Sequence, residues 1–369
     1  MIAALRRDWA LPLAWITTAV FFVHGADWIA DPVTAGAVAA QFFVLFAVIL
    51  AAAFALVRHA GHVADMLGEP LGTLVLTLAM TGLEVLMISA VSASDAATPT
   101  MARDSMFAAM MVLLNGMVGV ALLTGGWYHR EQGYNLQGAR AFLAVILPMS
   151  LIGLVLPDLT RTTAAGTMSP VQMWFVVVAS IVLYGIFLAI QNVRHREFFV
   201  DAEAGAGDDG GHGHSTDGRR SVAFHSTLMV AYALPMVLLA HDFADPMNHA
   251  IDALGAPTAL GGLLIAILVL SPESLSATRA AAANQLQRAV NVLLGSVLAT
   301  ISLTIPSVLL IGWFTGRTVV LGLDPVDIFL LLGSLALANL TFSGNRTHVL
   351  HGAVHLLMFA AYLALLFER

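Results

Sequence analysis

Neither cysteine nor lysine occurs among the 369 residues. The missing cysteine excludes disulfides and thiolate metal sites, and it leaves the redox compartment open. The missing lysine means that arginine alone supplies fixed positive side-chain charge. Charge of either sign is sparse: Asp, Glu, Lys and Arg make up 11% of the chain, against about 25% in an average soluble domain. Basic patches interleaved with aromatic residues are absent, so no nucleic acid partner is expected. Thirteen histidines are present, but no H-E-x-x-H that would mark a helix-borne zinc hydrolase. A membrane-embedded metalloenzyme therefore lacks its usual signature.

What the chain has instead is apolar length. Hydrophobic residues make up 59% of it, and the mean hydropathy is +0.86. This predicts an all-α polytopic membrane protein, because each run of about 17–25 apolar residues matches one bilayer-spanning helix. Eleven such runs can be drawn, over 9–28, 36–57, 70–93, 104–127, 138–157, 170–192, 221–244, 258–281, 288–314, 325–343 and 348–367. The first has the basic flank of a signal peptide but no small-x-small cleavage site, and it reads as a retained span.

The arginines set the orientation. With the N-terminus in the cytoplasm, inside segments hold 12 of the 16 arginines and outside segments hold Arg103, Arg161, Arg317 and Arg369. The outside loops carry aspartates instead. The positive-inside rule thus predicts N-in, C-out. Residues 197–220, "EFFVDAEAGAGDDGGHGHSTDGRR", are polar, acidic and Gly-rich, the composition of a disordered cytoplasmic linker. Its "HGH" is a weak metal-binding candidate and more simply part of a solvated linker.

One carboxylate stands where charge is costly. Glu84 lies near the middle of "LGTLVLTLAMTGLEVLMISAV" (71–91), roughly 18 Å along the helix from Gly72. An unpaired charge at that depth costs about 2.5–3.5 kcal/mol on insertion scales, so a partner or a function is expected. The second half of the chain supplies the match. "PLGTLVLTLAMTGLEVL" (70–86) resembles "ALGGLLIAILVLSPESL" (259–275), and Gly72 precedes Glu84 by the same 12 residues that separate Gly261 from Glu273. The following spans align as "VLLNGMVGVALL" (112–123) with "VLLGSVLATISL" (292–303). The expected organisation is an N-terminal helix (1–35), a first five-helix repeat (36–196), the linker (197–220) and a second five-helix repeat (221–369). Five spans per unit make the two repeats enter from opposite sides, an arrangement that places a substrate site at the midplane. Glu84 and Glu273 are the candidate cation and proton ligands. Thr81, Ser89, Asn115, Ser271 and Ser296 are supporting candidates. Pro272 removes a helical hydrogen bond directly before Glu273 and can free a carbonyl for coordination.

At these residues the sequence resembles the cation/calcium exchanger superfamily, and within it the ChaA-type bacterial calcium (sodium, potassium)/proton antiporters. The stretches "EVLMISAVSASDAATPTMARDSMFAAMMVLLNGMVG", "SPESLSATRAAAANQLQRAVNVLLGSVLATISLTIP" and "FSGNRTHVLHGAVHLLMFAAYLALLFE" carry the likeness, which covers nearly the whole chain. The resemblance implies two inverted repeats after a first helix, a multi-pass protein of the bacterial inner membrane, and export of Ca²⁺, or of Na⁺ or K⁺, in exchange for protons. It implies no cofactor beyond the transported ions, and membrane lipid as the surrounding partner. In proton-coupled calcium exchangers each repeat carries a Gly-Asn-Ala-(Val/Ala)-Glu motif whose glutamate binds the cation. That motif falls here on residues 80–84 and 269–273. The glutamates match, whereas Thr81 and Leu270 stand where asparagines are usual. Two carboxylate ligands carry over. The alternative of a sodium or potassium antiporter with little calcium transport stays open, as does a channel.

Other polar groups have plainer expectations. His348, His351 and His355 share one helical face and suit polar packing more readily than a metal. Asp242 and Asp245 are expected to close the seventh span on the outside, as a cation entrance or equally as a solvated helix end. Arg279, Asn284 and Arg288 fall in the inside loop after Glu273, where headgroup contact is expected.

Overall fold

The computed structural model describes residues 8–30, 34–68, 71–93, 98–199 and 221–368. Most of the acidic linker, including its "HGH", lies outside the described residues, as do Glu69 and Pro70. The described residues are mostly helical. In order, the long helices are α1 (Ala10–Ala30), α2 (Ala35–Leu67), α3 (Leu71–Ala93), α4 (Met101–His129), α5 (Leu136–Leu159), α6 (Pro170–Arg194), α7 (Val222–Ala253), α8 (Ala259–Ala282), α9 (Leu286–Thr315), α10 (Pro325–Thr341) and α11 (Val349–Leu366). Among the described residues nine of these are long and apolar enough to cross a membrane. The apolar part of α1 (Ala10–Gly25) and α10 are shorter.

Two elements differ from the expected spans. Helix α2 continues ten residues beyond the expected end, and α7 runs on through Pro246 to Ala253. Asp242 and Asp245 therefore do not close α7; they sit inside it, with Asp242 beside His241 at 3.5 Å. The hydropathy signal ends where apolar residues end, but helical hydrogen bonding does not. At about 1.5 Å per residue, these two helices of 33 and 32 residues are near 50 Å long, more than a hydrocarbon core of about 30 Å requires. They pack against each other extensively.

Helix α4 lies at the centre, with 83% of its most apolar window buried, against 22% for α11 at the periphery. Helix α8 packs along α4, and α9 lies against α3, α5 and α8. Gly72 of α3 seats against Ala64 of α2, and Gly261 of α8 seats against Met247 and Ile251 of α7. Each of the two glycines thus packs on the helix preceding its own.

The loops sort to two ends. At one end a two-strand antiparallel ribbon pairs β1 (Glu131–Gly133) with β2 (Arg346–His348), with Gln132 opposite Thr347. The same end holds His129 on the Ala282 carbonyl at 2.8 Å, and Gln132 on the Ala281 carbonyl at 2.8 Å. It also holds a short turn, Arg196–Phe199, whose Phe199 carbonyl accepts from Asn291 at 2.6 Å. Residues 197–199, expected as linker, are thus packed onto the helices. At the other end Arg103 donates to the Gly322 carbonyl at 2.9 Å, Arg317 to the Ser92 carbonyl at 2.6 Å, and Leu321 to the Gly166 carbonyl at 2.8 Å.

Candidate cation and proton site

Both intramembrane glutamates face α9. Glu84 is buried on α3, and its Oε2 accepts a hydrogen bond from the Thr300 hydroxyl at 2.9 Å. Glu273 on α8 accepts from the Ser296 hydroxyl at 2.5 Å. Ser296 and Thr300 are four residues apart on one helix, hence neighbours on one face, with Cβ atoms about 5–6 Å apart. Helices α3 and α8 thus deliver one carboxylate each to successive turns of a third helix. The two groups lie within electrostatic reach of each other.

The local sequence explains how α9 does this. "VLLGSVLATISLT" (292–304) is apolar except for Gly295 and a few small hydroxyl residues, of which Ser296, Thr300 and Thr304 recur every four positions. They form a narrow polar stripe on a helix whose remainder buries Leu293, Val297 and Ile301. Thr304 faces Glu84 without closing a hydrogen bond. At Thr300–Thr304 the helix widens into a π turn, a form concentrated at functional sites because it redirects side chains and loosens backbone pairing. A second π turn, Val112–Met117, lies in α4 and contains Asn115.

Oxygen atoms remain available. Among the described residues Glu84 Oε1 is buried without a hydrogen-bond partner, as are the Ser302 and Thr304 hydroxyls. Pro272 has no N–H to give the Leu268 carbonyl one turn back. Beside Glu84, a small cavity of about 10 Å³ lies between Ile88, Ser105, Ala109, Ile265, Ala266, Val269 and Leu270. That is room for roughly one water-sized occupant.

The supporting candidates divide. Ser296 touches Glu273 directly. Thr81 is buried on α3, one turn before Glu84. Ser89 has a buried hydroxyl without a partner among the described residues. Ser271 is turned to its own helix and donates to the Ile267 carbonyl. Asn115 donates to Ser334 of α10 at 2.7 Å, so its amide pairs away from both carboxylates, while its Oδ1 has no described partner. Thr300 is the contact that the repeat alignment missed. Its signal was the four-residue recurrence of hydroxyls along α9, which comparison of the two halves does not reveal because Val120 stands opposite Thr300.

Histidine contributes little here. His355 is buried and bonded to Thr341 at 2.9 Å, while His348 and His351 stack on each other with ring centres 4.2 Å apart. Among the described residues no group of three or more His, Asp or Glu is arranged to hold a metal ion. The donor set beside α9 is carboxylate and hydroxyl oxygen, suited to hard cations and to protons.

Comparison with known proteins agrees with this architecture. A sequence model of the family described as sodium/calcium exchanger protein matches residues 37–193 and 225–368. The sodium-potassium/proton antiporter ChaA of Escherichia coli (strain K12) is 39% identical over 319 residues, covering 86% of each chain. A Ca(2+)/H(+) antiporter of Aphanothece halophytica is 22% identical over 260 residues, covering 68% of each. Among solved structures, native YfkE superposes with a TM-score of 0.73 at 15% identity, covering 98% of this chain and 100% of that one. The H+/Ca2+ exchanger CAX gives 0.68 at 14% identity, covering 97% of this chain and 88% of that one. At such identities the two structures speak for the fold alone. With most of its length matched, the chain belongs to the sodium/calcium exchanger family, in the ChaA-type branch of the cation/calcium exchanger superfamily, whose members are secondary transporters and not enzymes.

Proposed function

We propose that the protein is a cation/proton antiporter in which Glu84 and Glu273 form one shared site, loaded alternately with protons and with Ca²⁺, Na⁺ or K⁺. The observation that carries the reading is the attachment of both carboxylates to successive turns of α9. Charge balance supplies the exchange rule. Two ionised carboxylates with one Ca²⁺ are neutral; so are two protonated carboxylates, and so is one proton with one Na⁺ or K⁺. The empty pair carries two negative charges into a low-dielectric interior, where each ion costs several kcal/mol. Loaded forms change access and the empty form does not, so flux is exchange and not leak. That obligatory exchange also separates the reading from a channel.

The architecture accompanying this reading is N-in, C-out with eleven spans. Helix α1 precedes two inverted five-helix repeats, α2–α6 and α7–α11, joined by the cytoplasmic linker, in the bacterial inner membrane. The two-ended sorting of the loops supports it. Arg130, Arg140, Arg279, Arg288 and Arg346 all gather at the ribbon end with Arg58, and Arg103, Arg161 and Arg317 at the other. The parallel seating of Gly72 and Gly261 supports the repeat.

A preference for monovalent ions is favoured by one specific feature. Ca²⁺ takes six to eight oxygen ligands. Thr81 and Leu270 offer no amide oxygen, which leaves Asn115 Oδ1, on an amide whose nitrogen is tied to Ser334, as the one amide oxygen among the candidates. The relative at 39% identity carries sodium and potassium in its name.

The deciding experiment uses everted vesicles under an imposed proton gradient, with fluorescence dequenching on addition of Ca²⁺, Na⁺, K⁺ or Mg²⁺. Glu84→Gln and Glu273→Gln should each abolish the dequenching while the protein remains in the membrane at normal level. Near-normal exchange by either variant contradicts a shared site.

A further inference from the structure

One cavity of the ribbon end has no role in the exchange described above. It measures about 390 Å³ and opens between α2, α8 and the start of α9. Arg58, Arg279 and Arg288 reach it, together with Gln285 and Ser276; Phe54, Val57 and Leu275 make an apolar wall. Arg58 is committed to Asp8 at 2.5 Å. Arg279 and Arg288 are exposed and have no hydrogen bond or ion pair with any other described residue.

Helix stability does not account for this pairing. Arg279 in the last turn of α8 opposes the negative end of that helix favourably, but Arg288 stands in the first turn of α9, where the helix's positive end disfavours a cation. Two unpaired guanidinium groups on either side of a tight turn repel each other, and their fork geometry suits one tetrahedral oxyanion between them. The apolar wall continues this polar end. Phe54 and Leu275 are themselves more than a third exposed, as residues beside an acyl chain would be.

We propose that this cavity binds a phosphate group, with Arg279 and Arg288 as its ligands and with the phosphodiester of an anionic lipid as the group's source. On the orientation proposed above, the cavity faces the cytoplasmic leaflet, where basic pockets between helices recruit such headgroups. The cavity reaches the neighbour of a proposed cation ligand. Pro272 lines the cavity, and the next residue is Glu273. An uncompensated cluster of guanidinium groups there repels an approaching cation, and a bound phosphate cancels that repulsion. The anion site thereby sets how readily cations reach Glu273 from this side.

The test reads binding, so it stands whether or not cation transport follows the proposed scheme. Melting of the purified full-length protein in neutral detergent is followed against added short-chain phosphatidylglycerol, phosphatidylcholine of the same chains, and inorganic phosphate. Phosphatidylglycerol should raise the melting temperature of the wild type well above the phosphatidylcholine control. Arg279→Gln and Arg288→Gln should each weaken its apparent affinity, and together by about tenfold or more. A matching shift with inorganic phosphate supports the phosphate site and reassigns its occupant to free phosphate. Equal shifts with the two lipids, or no shift with either lipid or phosphate, overturn the proposal on the wild type alone. An unchanged affinity in the single variants overturns it too. If the double variant does not fold, Arg279→Lys and Arg288→Lys serve in its place, and retained affinity there with loss in the Gln singles supports a charge-read site.

Discussion

At the residue scale the candidate site reduces to two carboxylates and the hydroxyls that meet them. A buried carboxylate that loses its donor is left with an unsatisfied acceptor, at a cost of about 1–3 kcal/mol. Thr300→Val keeps the shape of the side chain and removes the hydroxyl, so Glu84 loses the only hydrogen bond its described surroundings give it. On the proposed reading the ionised form binds the cation, and it is destabilised more than the protonated form. Thr300→Val should therefore raise the cation concentration for half-maximal exchange by roughly 5–150-fold at a fixed pH. Thr300→Ser should stay within about threefold, since it retains the donor. Titration of exchange against cation in proteoliposomes decides this, and a valine variant indistinguishable from wild type reduces Thr300 to packing. The glutamates themselves were legible in the sequence because charge in a long apolar run is expensive and therefore conspicuous. Thr300 was not, because a threonine in such a run costs little and gives no such signal. Asn115 shows the converse. Its polarity within α4 suggested a ligand, but its amide nitrogen is spent on a serine hydroxyl across the helix interface, and only its Oδ1 is left without a described partner.

At the element scale, hydropathy located each long helix among the described residues and misjudged the ends of two. Helices α2 and α7 outrun their apolar segments, because their added turns carry His59, His62, Asp65, Asp245, His249 and Asp252, polar groups that a window average reads as loop. The close approach of α8 to α4 was likewise invisible. Its signature is Gly262, where an added Cβ would stand 2.5 Å from the Asp104 backbone carbon. Backbone cannot yield as a flexible side chain can, so Gly262→Ala must push α8 away from α4. Such overpacking costs typically about 1–3 kcal/mol. Gly185 in α6 has nothing within 4 Å of the same construction, so Gly185→Ala should be neutral or mildly stabilising through helix propensity. Thermal unfolding in detergent should separate the two, with a melting temperature several degrees lower for Gly262→Ala alone. Because α8 carries Glu273, the same substitution should also impair exchange, and full activity with a lowered melting point would place the α8–α4 contact outside the transport mechanism.

At the scale of the whole molecule, the arrangement in the membrane rests on parity. From Ala165 to Ala283 the chain passes through α6, α7 and α8, and from Ala283 to Glu368 through α9, α10 and α11. Each passage is odd if every helix crosses, so Ala165 and Glu368 share a face and Ala283 takes the other. Helix α10 is the weak step in that count. Its 17 residues span about 26 Å against a hydrocarbon core of about 30 Å. Such a helix crosses by local thinning of the bilayer or by enclosure among its neighbours. Enclosure is available, since Leu330, Leu331, Ser334, Leu335 and Ala338 are buried. The cysteine-free sequence makes the question directly testable, because single cysteines placed at these three exposed positions are the sole thiols present. A membrane-impermeant maleimide applied to intact cells should label Ala165→Cys and Glu368→Cys and leave Ala283→Cys unmodified until the vesicles are everted. Labelling of Ala283→Cys from outside, with the other two protected, inverts the orientation that the arginine distribution gives. Labelling of Ala165→Cys alone from outside means that one of α9, α10 and α11 does not cross, with α10 the first to suspect. The proposed second repeat would then hold four spans, and the proposed inverted symmetry between Glu84 and Glu273 would lose its geometric basis.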